Sequence, residues 1–486
     1  MNGERTIRFL LDGEVHTIAG ISPTTTVLDY LRDRLHRCGT KEGCAEGDCG
    51  ACTVVTAELA GSRIRYRAIN ACIRLLPTLD GKALFTVESL AAAGGGDLHP
   101  AQRAMVECHG SQCGFCTPGF VMSLFALYRS GPDPGEDAVR HALSGNLCRC
   151  TGYRPILAAA RRMYEYPDDD GAAREDGLRD QLLAIRVTGE KRLSAAGQTY
   201  VAPVTAAGLA QALATRPDAT ILAGGTDVGL WVAKQHKALP EVIYLGHVAE
   251  LAAITVTDER LEIGAVVSLT DAFAALLAEY PDLQEMTRRF ASPPICNAGT
   301  LCGNVANGSP IGDSMPALIA VGATVVLQSA AGSRSLPLED FYLDYMTKDL
   351  RPGEFVAAVR IPRARPAQVV RCYKIAKRFD QDISAVCGAF AIERSAGRVR
   401  AARVCFGGMA TTPRRAMACE RALVGTELDA AAIGQAMAAL ATDFQPITDF
   451  RASQSYRSQV AGNLLQRFAM EVSQPAGNAS VWSHAG

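Results

Sequence analysis

The sequence predicts an α+β chain of several domains, and three observations lead there. Its 486 residues suit about three or four domains. Its apolar period changes along the chain, from strand-like runs to a helical stretch between about Leu90 and Tyr164, and then to short strands alternating with helices. Its 16 cysteines are unevenly spread, with ten in the first 150 residues.

Composition narrows the class. Apolar residues make up 48% and charged residues 20%, as in a soluble globular protein. The 49 basic and 50 acidic side chains leave a formal net charge of −1, so no global basic field favours nucleic acid or an acidic membrane. The first ten residues mix charges into a short apolar run and do not read as a signal peptide. No run approaches the roughly 18 apolar residues of a spanning helix. A soluble, cytoplasmic protein is expected. Dense cysteine there points to metal ligation rather than disulfides.

Residues 5–18 read as a hairpin about Asp12-Gly13. A helix from Val27 to Leu35 is expected next, capped by Thr25 or Thr26. A glycine-studded loop runs from Gly39 to Cys52, and strands follow at 53–56 and 64–69. Four helical segments, 99–109, 117–130, 135–143 and 154–165, imply a bundle, with Pro118 and Pro155 in first turns. The polar stretch 167–198 reads as a linker, with a short helix near Asp180–Arg186, or equally as an ordered surface segment. Short β runs at 221–223, 242–245, 261–265 and 324–327 alternate with helices. The last part has strands near 371–376, 385–393 and 401–407, then helices near 428–443 and 453–472. The expected domains are 1–84, 85–166, 199–366 and 367–475, with 167–198 as linker.

Cys44, Cys49 and Cys52 have the spacing C-x4-C-x2-C, and Cys72 lies downstream. This is the plant-type 2Fe–2S pattern. Gly43, Gly47 and Gly50 permit the backbone to wrap an anionic cluster with its N–H groups inward. Zinc sites favour paired C-x2-C units, and only one such unit occurs here. A second group comprises Cys113, Cys116, Cys148 and Cys150. Each of its pairs is followed by a threonine, Thr117 or Thr151, available to cap a helix whose positive end would face the metal. Alone, this spacing also suits zinc. Cys108 completes a second C-x4-C-x2-C with Cys113 and Cys116, but falls in a helical stretch. None of the eight histidines has metal-ligand spacing to another. His99 and His109 read as helix-surface or interface residues.

Three segments together resemble the two iron–sulfur domains of the molybdenum hydroxylases. They are Cys44-Ala45-Glu46-Gly47-Asp48-Cys49-Gly50-Ala51-Cys52, Gln112-Cys113-Gly114-Phe115-Cys116-Thr117-Pro118-Gly119 and Gly145-Asn146-Leu147-Cys148-Arg149-Cys150-Thr151-Gly152-Tyr153. That family includes xanthine dehydrogenases, aldehyde oxidoreductases and carbon monoxide dehydrogenases. The second half resembles its flavin domains. Leu222-Ala223-Gly224-Gly225-Thr226-Asp227 is similar to the first FAD loop. Thr300-Leu301-Cys302-Gly303-Asn304 through Ser309-Pro310-Ile311-Gly312-Asp313 is similar to the second. Paired glycines alone are usually turns, although Gly224, Gly225 and Gly303 would permit close backbone approach to a pyrophosphate. No G-x-G-x-x-G follows a strand, so no Rossmann site is expected.

The resemblance implies a fold for each part. These are a β-grasp ferredoxin-like domain, a four-helix 2Fe–2S bundle, a vanillyl-alcohol-oxidase-like FAD domain and an α+β C-terminal flavoprotein domain. It carries FAD contacts onto Phe290, Thr300, Asp313 and Lys374, and places Gln381 and Asp382 near the isoalloxazine ring. Cys302 departs from the glycine that many relatives have. From the residues alone, Lys374 reads as a surface lysine on a strand. Clusters and flavin on one chain resemble the small subunit of two-subunit bacterial xanthine dehydrogenases. That implies a large partner subunit holding the molybdenum cofactor and a heterotetramer of two small and two large subunits. Electrons from purine hydroxylation would pass through the cluster at Cys113, Cys116, Cys148 and Cys150, then the one at Cys44, Cys49, Cys52 and Cys72, then FAD, to NAD⁺. An aldehyde or other N-heterocycle as the partner's substrate, a stand-alone diaphorase, and a zinc-binding interaction protein are the alternatives.

Overall fold

The structure of the chain is a computed structural model that describes residues 5–93, 98–167 and 171–473. Residues 1–4, 94–97, 168–170 and 474–475 of the expected divisions lie outside the described residues. The chain forms two compact units. The first comprises Met1–Glu250, Ser268–Thr270 and Ala291–Gly299; the second comprises Leu251–Val267, Asp271–Phe290 and Thr300–Gly486.

The first unit opens with the expected hairpin, β1 (Ile7–Leu11) and β2 (Glu14–Ile18), turning through left-handed Asp12 and Gly13. With β3 (Thr53–Ala60), β4 (Arg63–Asn70) and β5 (Ala83–Phe85) it makes a mixed sheet in the order β2-β1-β5-β3-β4, where β1 and β5 run parallel. The regular helix expected at 27–35 departs from α geometry. Thr26 and Asp29 form a capping box, but after Val27–Asp29 the chain widens to a π turn over Tyr30–Arg34, with the Leu35 N–H donating to the Tyr30 carbonyl.

Four helices follow within two or three residues of the expected bounds: Pro100–Glu107, Thr117–Tyr128, Glu136–Leu143 and Arg154–Arg162. They close over Phe120, Leu124, Ile156 and Met163. Two expectations fail here. His99 is not a surface residue: it is buried and caps the first of these helices, its Nδ1 accepting the Ala101 N–H at 3.1 Å. Thr117 and Thr151 cap no helix. Thr117 lies inside its helix and donates to the Ser111 hydroxyl, while Thr151 accepts the Tyr153 N–H before the helix begins.

The segment expected as linker is largely regular structure. It carries the helix Gly171–Ala184 and the strand β6 (Lys191–Ala195). Leu178, Leu182 and Ile185, spaced i, i+4, i+7, lie against Leu10, Ala57 and Ala83 of the first sheet. This narrow stripe is masked in the sequence by charged neighbours. β6 joins β7 (Gln198–Ala202), β8 (Thr220–Leu222) and β9 (Glu241–Tyr244) in a second sheet, ordered β6-β7-β9-β8. Tyr200, Leu222, Val242 and Tyr244 from that sheet share one core with Phe9, Leu31, Val54 and Leu76. The start of the expected flavin domain therefore packs with the ferredoxin-like sheet.

In the second unit, β10 (Ile254–Val256), β11 (Arg260–Gly264), β12 (Thr324–Ser329), β13 (Gly332–Pro337) and β16 (Phe355–Pro362) form an antiparallel sheet ordered β10-β11-β16-β12-β13. β14 (Tyr342–Asp344) and β15 (Thr347–Lys348) are a separate hairpin. β17 (Gln368–Ile375), β18 (Val386–Ser395), β19 (Arg398–Gly407) and β20 (Arg414–Arg415) form the last sheet, covered by the helices Ala430–Asp443 and Gln454–Ser473. The rings of Phe390 and Phe468 stack across that core at 5.0 Å. Among the described residues no helix is long and apolar enough to cross a membrane.

Candidate redox centres

The upstream cysteines lie on a loop wound through three left-handed residues, Ala45 (φ 54°), Gly47 (φ 78°) and Gly50 (φ 69°). That winding turns N–H groups inward. Those of Glu46, Asp48 and Cys49 all donate to Cys44 Sγ at 3.4 Å. A Cβ at Gly47 would lie 2.7 Å from Ile73 Cδ1, and one at Gly43 2.8 Å from Cys49 Sγ. Cys72 arrives just beyond β4. Its thiol stands 3.2 Å from that of Cys52, and the Cys44 thiol hydrogen-bonds to those of Cys49 and Cys72. The four expected residues thus converge. Hydrogen bonds among the thiols hold Cys44 and Cys52 below the ordinary thiol range and Cys49 and Cys72 above it.

The downstream cysteines converge as well. Cys113 and Cys150 share a hydrogen bond, as do Cys116 and Cys148. Burial, then the Cys148 thiol, pushes Cys116 up to about 12. Burial works against ionisation of Cys148, but the Thr151 hydroxyl and nearby N–H groups outweigh it and bring that thiol down. Cys113 and Cys150 are exposed, whereas Cys52 and Cys72 are buried. Cys108 ends the helix Pro100–Glu107, where its N–H caps the Ala104 carbonyl. Among the described residues no three histidine, cysteine or carboxylate side chains gather for a single metal ion. Four thiols in each group suit two irons bridged by sulfide, and the C-x4-C-x2-C spacing of the first favours that over one tetrahedral zinc.

A residue that spacing did not single out ties the two groups together. Asn146 is buried and donates through Nδ2 to the Gly50 carbonyl at 3.1 Å, while its Oδ1 accepts from Ser123. Beside it the Leu147 N–H donates to the Cys49 carbonyl at 3.0 Å. Gly119, Gly145 and Gly50 meet so closely that a Cβ on Gly50 would lie 2.2 Å from the Gly145 carbonyl oxygen. Its place two residues before Cys148 is the signal in the sequence; its burial and its Gly50 partner are not legible there.

The residues expected to contact FAD fall in both units. Leu222 ends β8 in the first, and Ala223, Gly224, Gly225, Thr226 and Asp227 follow it. Gly224 has a structural cause: a Cβ there would sit 2.1 Å from the Ala298 carbonyl oxygen. Gly225 is different. Its φ is 81° and a Cβ would meet only a Leu222 methyl at 3.4 Å, which leaves that side of the backbone open, as a dinucleotide phosphate needs. In the second unit, Thr300 caps the helix Leu301–Asn307 by accepting the Gly303 N–H at 3.0 Å. The Gly303 position serves that cap, since its Cβ would lie 2.7 Å from Thr300 Oγ1. Cys302 is an ordinary buried helical residue; burial pushes its thiol up to about 12. Asn304 accepts from Ser314, and Ser309 accepts the Ile311 N–H.

Lys374 is not on the surface. It is 3% exposed and pairs at 2.5 Å with Asp313, whose other oxygen accepts from Ser384. Arg289 donates to the Lys374 carbonyl at 2.8 Å and to the Phe379 carbonyl at 3.0 Å, with its guanidinium over the Phe379 ring. It thereby holds the segment that carries Gln381, left-handed at φ 57°, and Asp382, which accepts the Arg378 and Ile383 N–H groups. Phe290 packs edge-on against Phe273.

Four family models cover most of the chain. "2Fe-2S iron-sulfur cluster binding domain" matches residues 9–75 and "[2Fe-2S] binding domain" residues 86–161. "FAD binding domain in molybdopterin dehydrogenase" matches 193–364 and "CO dehydrogenase flavoprotein C-terminal domain" 371–472. The chain belongs to the molybdenum hydroxylase family, as an iron–sulfur and flavin electron-transfer module. Within that family it is homologous to the N-terminal region of xanthine dehydrogenases. It is 34% identical to that of Emericella nidulans, over 90% of this chain and 36% of the relative, and 33% identical to that of Drosophila pseudoobscura pseudoobscura, over 87% and 36%. It thus spans little more than a third of those relatives. A solved Cu,Mo-CO dehydrogenase chain matches 55% of this chain and 94% of its own at 29% identity and a TM-score of 0.52. Quinoline 2-oxidoreductase from Pseudomonas putida 86 matches 57% and 96%, at 27% identity and the same TM-score of 0.52.

Proposed function

We propose that the chain carries electrons from a purine oxidised on a molybdenum-bearing partner subunit to NAD⁺, within a heterotetramer of two small and two large subunits. Two groups of four thiols, joined through Asn146 and Leu147, carry this reading. Bound 2Fe–2S clusters supply one-electron transfer, and FAD supplies the exchange between one-electron and two-electron steps.

Cys113, Cys116, Cys148 and Cys150 would hold the outer cluster. Cys113 and Cys150 are exposed, and so are Phe115, Leu147 and Tyr153 around them, which suits the side on which a partner delivers electrons. Cys44, Cys49, Cys52 and Cys72 would hold the inner one, with Cys52 and Cys72 buried. Residues 222–227, with Phe290, Thr300, Gly303, Asn304, Ser309, Asp313, Lys374, Gln381 and Asp382, would bind FAD. The chain's own residues orient and insulate these groups, and no acid–base pair is required of them.

Cys148→Ser is the test. In the assembled enzyme it should abolish electron flow from xanthine to NAD⁺ while leaving NADH-dependent dye reduction at the wild-type rate. Survival of both activities would remove the outer group from the route. The likeness to quinoline 2-oxidoreductase favours a second reading, an N-heterocycle in place of a purine. Turnover with quinoline but not xanthine would select it.

A further inference from the structure

Ile73 and Arg74 directly follow Cys72, and both touch the segment beyond β8. The Ile73 carbonyl packs so tightly on Gly229 that a Cβ there would lie 2.1 Å from its oxygen. Arg74 is 8% exposed, and its Nη1 donates to the Gly224 carbonyl at 2.8 Å. Its Nε is buried without a hydrogen-bond partner. Among the described residues Arg74 makes no ion pair. Glu58, which feels its charge, is paired with Lys82 instead. Two residues before Cys72, Asn70 is 2% exposed. Its Nδ2 lies 3.9 Å from Cys52 Sγ, and its Oδ1 has no partner. Asn70, Ile73, Arg74, Gly224 and Thr226 line one cleft too tight for a water molecule.

A guanidinium stays charged wherever it is buried. Here it lacks both a carboxylate and a hydration shell, so its field is weakly screened. The potential of an iron–sulfur cluster follows its net charge, the hydrogen bonds to its sulfurs and its exposure. We infer that Arg74 is a positioning residue whose dehydrated charge raises the reduction potential of the cluster held by Cys44, Cys49, Cys52 and Cys72, at the point where the cluster loop grips the flavin loop. The inference rests on reading those four cysteines as a cluster site.

The experiment is an EPR-monitored redox titration of the inner cluster in the holoenzyme, comparing wild type with Arg74→Met, Arg74→Gln and Arg74→Lys. The two neutral variants should reduce about tenfold less favourably, which is about 59 mV for a one-electron couple. Arg74→Lys, which keeps the charge, should stay within about twofold of wild type (a fraction of that tenfold step). Neutral variants that titrate like wild type would overturn the inference. So would a lysine variant shifted as far as the methionine one, which would point to packing rather than charge. Neutral variants that fail to load iron while Arg74→Lys loads it would likewise reduce Arg74 to a structural role. Absence of any inner-cluster signal in wild type would instead sink the cluster assignment itself.

Discussion

At the scale of single residues, the chain places charge where water is absent and balances it. Lys374 and Asp313 lie in the core of the second unit, and each is compensated by the other. Lys374→Met would leave Asp313 buried with only Ser384 to bond it. Breaking such a pair costs about 3–5 kcal/mol. Urea melts should shift accordingly, and bound flavin should fall with them; an unchanged midpoint with full flavin would contradict the assignment. Asp80 and His247 give a pH test. Lys191 and His247 stand 3.7 and 3.8 Å from Asp80 Oδ2, outside hydrogen-bond reach, and the Arg8 N–H, which donates to Asp80 Oδ1 at 2.7 Å, does not offset burial. Burial pushes Asp80 up to about 6 and His247 down to about 3; for the imidazole the nearby Lys82, Lys191 and Arg74 add to it. As pH falls from 6 towards 4, folding takes up a proton at Asp80, which adds about 1.4 kcal/mol of stability per pH unit. Below about 6.5 the unfolded chain protonates its histidine while buried His247 stays neutral, which removes stability at about the same rate. The two offset each other. Measured against wild type, the melting temperature of His247→Gln should therefore rise between pH 6 and pH 5, and that of Asp80→Asn should fall. Departures from wild type of the same sign in both variants would refute this.

At the scale of elements, the contact between the two cysteine loops is the structural core of the site. Gly50 stands at its centre. Gly50→Ala must adopt φ 69° and place a methyl 2.2 Å from the Gly145 carbonyl oxygen and 2.5 Å from Asn146 Nδ2. Gly61 is the control, since its φ is 63° but nothing lies within 4 Å of its Cβ. Gly61→Ala should cost about 1 kcal/mol from backbone strain alone. Gly50→Ala should cost roughly 2 kcal/mol or more and lower iron in both clusters. Iron analysis and thermal melts would check this, and equal effects of the two would contradict it. The same loops show what was legible beforehand. C-x4-C-x2-C and the helix breakers are local signals, so the cysteine groups and the four helices could be read directly. Asn146 on Gly50, Arg74 on Gly224 and Arg289 on Lys374 are long-range hydrogen bonds, which no spacing encodes. Of the helix Gly171–Ala184 only the end, near Asp180–Arg186, is legible beforehand, because its apolar stripe is one residue wide. The threonine caps failed because Cys116 and Tyr153, not the threonines, occupy the cap positions.

At the scale of the whole molecule, four stretches of family resemblance fold as two units, and the division cuts through the flavin region. The reason lies in burial: β6 to β9 complete the core beneath the ferredoxin-like sheet. The loop after β8 therefore belongs to the same compact unit as both cysteine groups, and Gly229 beyond it packs against Ile73, next to Cys72. The most direct test is a visible spectrum with iron, sulfide and flavin analysis on the chain purified with the proposed molybdenum-bearing partner. About four irons and one FAD per chain are predicted, with absorption bleached by xanthine and restored by NAD⁺. A colourless chain carrying zinc and no iron would contradict the account.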